Sequence, residues 1–111
     1  MIAHIVLLQP RADLTDGERR AALETLAHAA ANVPEIRRFR LGRRVKHGLP
    51  GYEQTMTADY EVALIIEVDD LPALTCYLTA PAHAALGDLF STATAAALAY
   101  DFDMIDDLSS L

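Results

Sequence analysis

Runs of apolar residues, punctuated by proline, divide the chain into segments typical of strands and helices. Residues 2–9 form a compact apolar run that Pro10 closes, which predicts a strand because proline cannot continue a sheet ladder. Residues 36–46 alternate between apolar and basic side chains, as in a strand with one polar face. Residues 60–68 predict a third strand that is apolar on both faces, and residues 98–105 alternate and predict a fourth.

Helical patterns lie between these strands. Thr15 and Glu18 have the spacing of a capping box, which predicts the start of an alanine- and leucine-rich helix. The apolar stripe expected on this helix consists of Leu23, Leu26, Ala27 and Ala30. A short helix follows the third strand, and Pro81 opens a longer helix that we expect to reach about Ala97.

The element order β-α-β-β-α-β predicts an α+β fold, the ferredoxin-like plait with a four-stranded antiparallel sheet. A lone plait leaves one sheet face to water, yet the first and third strands carry apolar side chains on both faces. A second copy of the same sheet would cover the open face, so we expect a homodimer that forms a dimeric α/β barrel. The expected domain spans residues 1–105, and residues 106–111 form a short C-terminal tail.

Composition narrows the class of protein. A chain of 111 residues with 52% hydrophobic residues suffices for one domain with a real core. The absence of a long apolar run or a secretory signal argues against a membrane protein and an exported one. The single cysteine, Cys76, is expected to be a small buried hydrophobe in a protein of the reducing cytoplasm. A net charge of −7 argues against nucleic acid as a partner.

Metal and cofactor motifs are missing from the sequence. The four histidines are far apart and show none of the usual metal-ligand spacings, so we expect no metal. The glycines fit neither dinucleotide nor phosphate-loop spacing, and no cofactor is expected. A basic cluster at residues 37–46 fits charges that protect an edge strand from aggregation, or a site for an anionic group such as a carboxylate or the phosphates of a carrier thioester.

Three polar residues stand out as chemical candidates. His4 lies in the middle of an apolar strand, where it is either a core histidine satisfied by a neighbour or part of a site. His83 lies in the first turn of a helix, whose dipole disfavours imidazolium, so it is either a neutral general base or an exposed helix-start residue. Asp101 on the last strand could accept a hydrogen bond from His83, or it could be a solvated acid.

Four segments, residues 1–10, 60–70, 74–90 and 100–105, together resemble the stress-responsive dimeric α/β-barrel (Dabb) family. The most specific parts of the resemblance are His4 on the first strand and the Pro81-Ala82-His83 element that opens the long helix. The resemblance covers nearly the whole chain and implies two ferredoxin-like plaits whose sheets pack face to face. The family includes stress-induced plant proteins and, more distantly similar to this chain, the plant olivetolic acid cyclase.

The resemblance to the cyclase implies catalytic roles for His4, His83, Tyr77 and Asp101. The chain also departs from that cyclase. Val62 stands where the cyclase has a pocket histidine, and Leu26 stands where it has a tyrosine. These departures favour a different reaction or a protein that only binds a ligand.

Two functions therefore stay open. One is a cofactor-free cyclase or lyase for a carbonyl-containing, polyketide-like small molecule, in which His83 removes a proton and His4 with Tyr77 stabilises the enolate oxygen. The other is a non-catalytic stress-response or ligand-binding homodimer. In both, we expect an apolar cavity between sheet and helices, with room left by small alanines. Its expected lining is Val6, Val62, Leu64, Phe90 and Ala99.

Overall fold

The protein is described by a computed structural model that covers all 111 residues. The strands are β1 (Ile2–Pro10), β2 (Ile36–Arg43), β3 (Val62–Val68) and β4 (Thr94–Asp103), and the helices are α1 (Asp16–Asn32), α2 (Leu71–Thr79) and α3 (Pro81–Ala93). The strands form one antiparallel sheet in the order β2-β3-β1-β4. This confirms the predicted ferredoxin-like plait. None of the helices is long and apolar enough to cross a bilayer.

The start of α1 follows directly from its sequence. The Thr15 hydroxyl accepts a hydrogen bond from the backbone N–H of Glu18 at 3.1 Å. The Glu18 carboxylate in turn accepts one from the backbone N–H of Thr15 at 3.0 Å. Two otherwise unpaired backbone donors are satisfied in this way, and the predicted capping box is confirmed.

The buried stripe of α1 differs from the predicted one. Leu26 and Ala29 are buried, whereas Leu23 is 56% exposed and Ala27 is also exposed. Alanine occurs on every side of this helix, so the apolar pattern does not determine which side faces the sheet. Packing of α1 against α3 and the sheet decides the rotation.

The boundary between α3 and β4 also differs from the prediction. The helix ends at Ala93, and β4 already begins at Thr94. The alanines at residues 95–97 favour a helix by intrinsic propensity, so local preference extends the predicted helix too far. Pairing with β1 sets the boundary, because Leu8 lies opposite Ala97 and the ladder of hydrogen bonds extends β4 toward the helix.

The two faces of the sheet differ sharply in their cover. On one face, side chains of β1 and β3 form the core together with the helices; this set includes Val6, Leu8, Leu64, Ile66, Leu26, Leu74 and Leu86. On the other face, Ile5 lies between Ile65 and Tyr100 in the strand register, and no element of the chain covers them. We call this second surface the open face. It is apolar along its centre, as the sequence pattern predicted.

The lone cysteine is not part of the core. Cys76 lies on α2 and is exposed, contrary to the expectation of a small buried hydrophobe. Its helix turns Leu74 and Tyr77 toward the sheet instead. Residues at positions i and i+3 share a face of a helix, which leaves position 76 on the side toward solvent.

Candidate functional site

A short contact between two polar side chains joins β1 to β4 beneath the helices. His4 and Asp101 lie directly opposite each other in the strand register. The Nδ1 atom of His4 lies 2.6 Å from Oδ1 of Asp101, so the carboxylate accepts a hydrogen bond from Nδ1–H. From the sequence we expected Asp101 to accept a hydrogen bond from His83 instead. The register explains the difference, because directly opposite residues on one face of a sheet are the nearest side-chain neighbours.

The junction of α2 and α3 supplies the other two side chains. Pro81 occupies the first turn of α3 and begins a new helix immediately after α2 ends. This break places Tyr77, in the last turn of α2, against His83, in the first turn of α3. Their ring centroids are 5.0 Å apart and the rings meet edge to face. A turn between two helices therefore brings together side chains that a continuous helix would hold in a different relation.

These four residues form one group, which we call the histidine cluster: His4, Tyr77, His83 and Asp101. The His4 ring centroid lies 5.6 Å from that of Tyr77 and 6.5 Å from that of His83. The two histidines thus lie on the same side of the sheet, close enough for one small molecule to contact both. His4 is only 5% exposed, and Tyr77 is buried as well.

The Tyr77 hydroxyl stays protonated at neutral pH. Burial, and secondarily the charge of Asp101, raises its pKa to about 12. Tyr77 as a whole is only 1% exposed. Its protonated hydroxyl is a hydrogen-bond donor within the group of rings that surrounds it.

The surroundings of His83 favour its neutral form. Burial lowers its pKa below the ordinary 6.5, and the neighbouring His4 lowers it further, while the Leu78 carbonyl acts in the opposite direction. A neutral imidazole at neutral pH can accept a proton. His4 differs because its Nδ1 is engaged by Asp101, which leaves Nε2 as the ring atom free to exchange a proton. The two histidines thus have environments suited to different roles.

The apolar cavity lies at the opposite end of β1. It has a volume of 180 Å³ and is lined by Leu8, Pro10, Leu14, Arg19, Ala22, Leu23, Leu26, Leu41, Val62, Leu89, Phe90, Ala93 and Thr94. Of the expected lining residues, Val62 and Phe90 are present. Val6 and Leu64 are instead buried in the core, and Ala99 is exposed on β4. The sequence signal that could have located this cavity is the pair of small residues Ala22 and Ala93, which line it from two helices.

The cavity and the histidine cluster are separate. Leu8 lies four residues after His4 on the same face of β1, which corresponds to about 13 Å at roughly 3.3 Å per residue. Val6 lies between them and pairs with Leu64, and both side chains are almost completely buried. From the sequence we expected one cavity with polar groups at its end. The structure has two sites divided by packed core side chains.

No metal site is evident in the geometry. Nowhere in the 111 residues do three or more His, Cys, Asp or Glu side chains converge so that they could hold a metal ion. The basic residues 37–46 are largely paired. Arg37 binds Asp69, Arg40 binds Glu67, and Arg44 and Lys46 share Asp59.

Comparison with known proteins relates the whole chain to one family. The family model described as the stress responsive A/B barrel domain matches residues 2–104. A search of curated proteins finds no significant match.

Solved structures share the fold at low sequence identity. A Dabb family protein with a ferredoxin-like fold from Mesorhizobium loti is 19% identical, with a TM-score of 0.72, 94% of this chain covered and 96% of that one. A dimeric ferredoxin-like protein of unknown function from Thermobifida fusca is 21% identical, with a TM-score of 0.70 and coverage of 93% and 90%. A hydroxynitrile lyase from Passiflora edulis is 10% identical, with a TM-score of 0.80 and coverage of 96% and 95%.

Proposed function

Since the chain belongs to the stress responsive A/B barrel domain family, we propose that it is a homodimeric, cofactor-free enzyme of cyclase or lyase type. The proposed substrate is a small carbonyl compound with polyketide-like character, and the proposed location is the cytoplasm. The observation that carries the proposal is the 2.6 Å contact between His4 and Asp101 beside the rings of Tyr77 and His83. An imidazole oriented by a carboxylate and a neutral base within reach of one small molecule form a recognisable acid–base arrangement.

In the proposed reaction, neutral His83 removes a proton from the carbon beside a carbonyl group. The electron pair of that C–H bond moves to the carbonyl oxygen and gives an enolate. Tyr77, still protonated at neutral pH, donates a hydrogen bond to this oxygen. The imidazolium form of His4, held by Asp101 through Nδ1, donates a second one from Nε2. The enolate carbon then attacks a second carbonyl of the same chain, the π electron pair of that C=O bond moves to its oxygen, and the resulting alkoxide takes the proton from His83.

The fold of a solved neighbour supports the enzyme class. The Passiflora edulis neighbour is a hydroxynitrile lyase, so lyase chemistry is compatible with this fold. At 10% identity the likeness concerns the fold alone. The support for a particular reaction therefore comes from the histidine cluster.

The test is deuterium exchange at the carbon beside the carbonyl of linear ketones and β-keto esters, followed by proton NMR. We expect the wild-type chain to accelerate exchange and His83→Gln to lose roughly 10²- to 10⁴-fold of that rate, as for deletion of a general base. His28→Gln is the matched control, because His28 is exposed on α1 and contacts Asn32. Equal rates in wild type and His83→Gln would overturn the catalytic proposal.

The homodimer is proposed to form through the open face. Tyr100 and Phe102 are 57% and 50% exposed there, next to Ile5 and Ile65. Monomeric proteins rarely leave such a continuous apolar surface to water. A two-fold pair of sheets would bury both copies of the surface. The Thermobifida fusca neighbour, which is described as dimeric, supports this assembly.

Light scattering tests the interface. Ile65→Lys places an unpaired charge in the proposed contact and should yield monomer or aggregate. Leu71→Lys is the control, because Leu71 is 63% exposed on α2, away from the sheet. A dimer that persists in Ile65→Lys would contradict an interface on the open face.

A non-catalytic ligand-binding homodimer is the second candidate function. The observation that favours it is the separation of the apolar cavity from the histidine cluster, since a ligand could fill the cavity without reaching either histidine. Absence of exchange on every carbonyl compound tested, together with saturable ligand binding, would favour this candidate.

A further inference from the structure

A broad groove carries positive charge on a protein that is acidic overall. It has a volume of 680 Å³, and its basic lining residues are Arg19, Arg43, Arg44 and Lys46. Glu61 is the acidic residue in this lining. We call this surface the cationic groove. Its charge contrasts with the net charge of −7 for the whole chain.

Much of this charge is not neutralised by the protein. Arg44 and Lys46 share the single carboxylate of Asp59. Arg19 and Arg43 take part in no ion pair with any residue of the chain. Unpaired guanidinium groups that share one groove attract anions, because each offers several donors in a planar fork.

The cationic groove and the apolar cavity are continuous. Arg19, Leu41 and Val62 line both of them. The strand register accounts for this continuity between groove and cavity, since Arg43 lies opposite Val62 and Val62 lies opposite Leu8. Charged and apolar lining therefore meet at one mouth, on the side of the sheet that carries the helices. Dimerisation through the open face would leave this mouth free.

We propose that the cavity and the cationic groove together form a binding site for an amphipathic anion, a medium-length alkyl or acyl chain with a carboxylate or phosphate head. The chain would lie in the cavity against Leu26 and Phe90, and the head would bind Arg19 and Arg43. An apolar cavity of about 150 Å³ accommodates benzene. The 180 Å³ cavity here therefore suits roughly six to eight carbons.

This site does not depend on the proposed catalytic function. A head group at Arg19 and Arg43 keeps the ligand at the Leu8 end of β1, about 13 Å from His4. Val6 and Leu64 fill the space between. Substitutions in the histidine cluster should thus leave binding unchanged, and substitutions in the groove should leave the cluster intact.

Isothermal titration calorimetry with the full chain tests the proposal. The probes are octanoate, octyl phosphate and neutral octanol, each below its micelle concentration. We expect at least one anion to bind about tenfold more tightly than octanol, with affinity that falls as salt is added. A preference for octanoate assigns a carboxylate head, and a preference for octyl phosphate assigns a phosphate head.

Variants locate the bound anion. Arg19→Gln and Arg43→Gln should each weaken binding of the preferred anion by about tenfold, while octanol binding stays unchanged. Arg20→Gln is the matched control, because Arg20 is an exposed neighbour on α1 that does not line the groove. Ala22→Leu fills the cavity and should weaken both anion and octanol. Circular dichroism of each variant verifies that it is folded.

Several results would overturn the proposal. These are equal affinity for octanol and both anions, no binding of any probe, and unchanged anion affinity in the Arg19→Gln, Arg43→Gln double variant. Loss of anion binding in His83→Gln would also overturn it, because the anion would then bind at the histidine cluster. Deuterium exchange by wild type is read separately, so failure of catalysis and failure of this site are distinguishable.

Discussion

The two ends of β1 lie on the same face of the same strand but have different surroundings. At the first end, His4 lies opposite Asp101 and below the start of α3. At the second end, Leu8 lies opposite Ala97 and beside an apolar cavity near the end of α3. One strand and one helix therefore connect a polar site to an apolar one. The cross-strand partner at each end of β1 decides whether that end forms a polar or an apolar site.

The division between these ends depends on packing. Val6 and Leu64 pair in the register between His4 and Leu8, and Leu64 is completely buried. Close-packed apolar side chains exclude water, so Val6 and Leu64 separate the carboxylate of Asp101 from the apolar cavity. A continuous layer between sheet and helices can thus hold two separate sites.

Truncating Leu64, which helps to separate the two sites, should have the largest effect on the protein. Leu64→Ala removes a completely buried side chain and is expected to lower the free energy of unfolding by about 2–5 kcal/mol. Urea denaturation at fixed protein concentration measures this change. Leu71→Ala, at a position that is 63% exposed, should change stability by less than about 0.5 kcal/mol. Similar losses in both variants would show that Leu64 does not anchor the core.

Substitution of Asp101 at the polar end of β1 should have the second largest effect. Asp101→Asn removes the carboxylate that accepts the His4 proton and should lower the exchange rate by about 10- to 100-fold. Nitrogen-15 chemical shifts of His4 should show a change of tautomer in the same variant. Asp103→Asn, two residues further along β4, is the control. Equal rate losses at both positions would remove the special role of Asp101.

Filling the apolar end should have a smaller and opposite effect. Ala93→Leu places additional methyl and methylene groups in the 180 Å³ cavity. We expect it to raise the free energy of unfolding by about 0.5–2 kcal/mol and to leave the exchange rate unchanged. Thermal denaturation and the exchange assay check both parts. A lower rate in this variant would mean that the substrate extends into the cavity.

The smallest effect is a pH dependence of stability at the polar end. The pKa of His83 is lower in the folded chain than its ordinary 6.5, so between these values the unfolded chain binds more protons. Stability should therefore be fully present above about 6.5 and should decrease as pH falls through the folded-state pKa.

Urea denaturation across about pH 5 to 8 measures this slope. His83→Gln should flatten it, whereas His28→Gln should not. A slope that is unchanged in His83→Gln would show that burial does not disfavour the charged form of His83.

Much of the fold could be predicted from local sequence. Alternation, proline punctuation and the Thr15–Glu18 capping box predicted the element order and the plait, because these signals act over a few residues. The open apolar face was predicted as well, since a strand displays its two faces in alternate positions. The family resemblance identified His4, Tyr77, His83 and Asp101 as one set.

Tertiary structure decided the remaining features. Alanine has no strong facial preference, so packing chose the buried side of α1 and strand pairing chose the start of β4. The partner of Asp101 depended on register, which joins residues 97 positions apart. The position of the cavity depended on where the side chains of α1, α3 and the sheet leave space unfilled.

The identity of the helices and strands and the apolar character of their faces thus follow from neighbouring residues in the chain. Only the tertiary structure decided which side chains meet, because contacts between distant segments depend on register, helix rotation and the space that packing leaves unfilled.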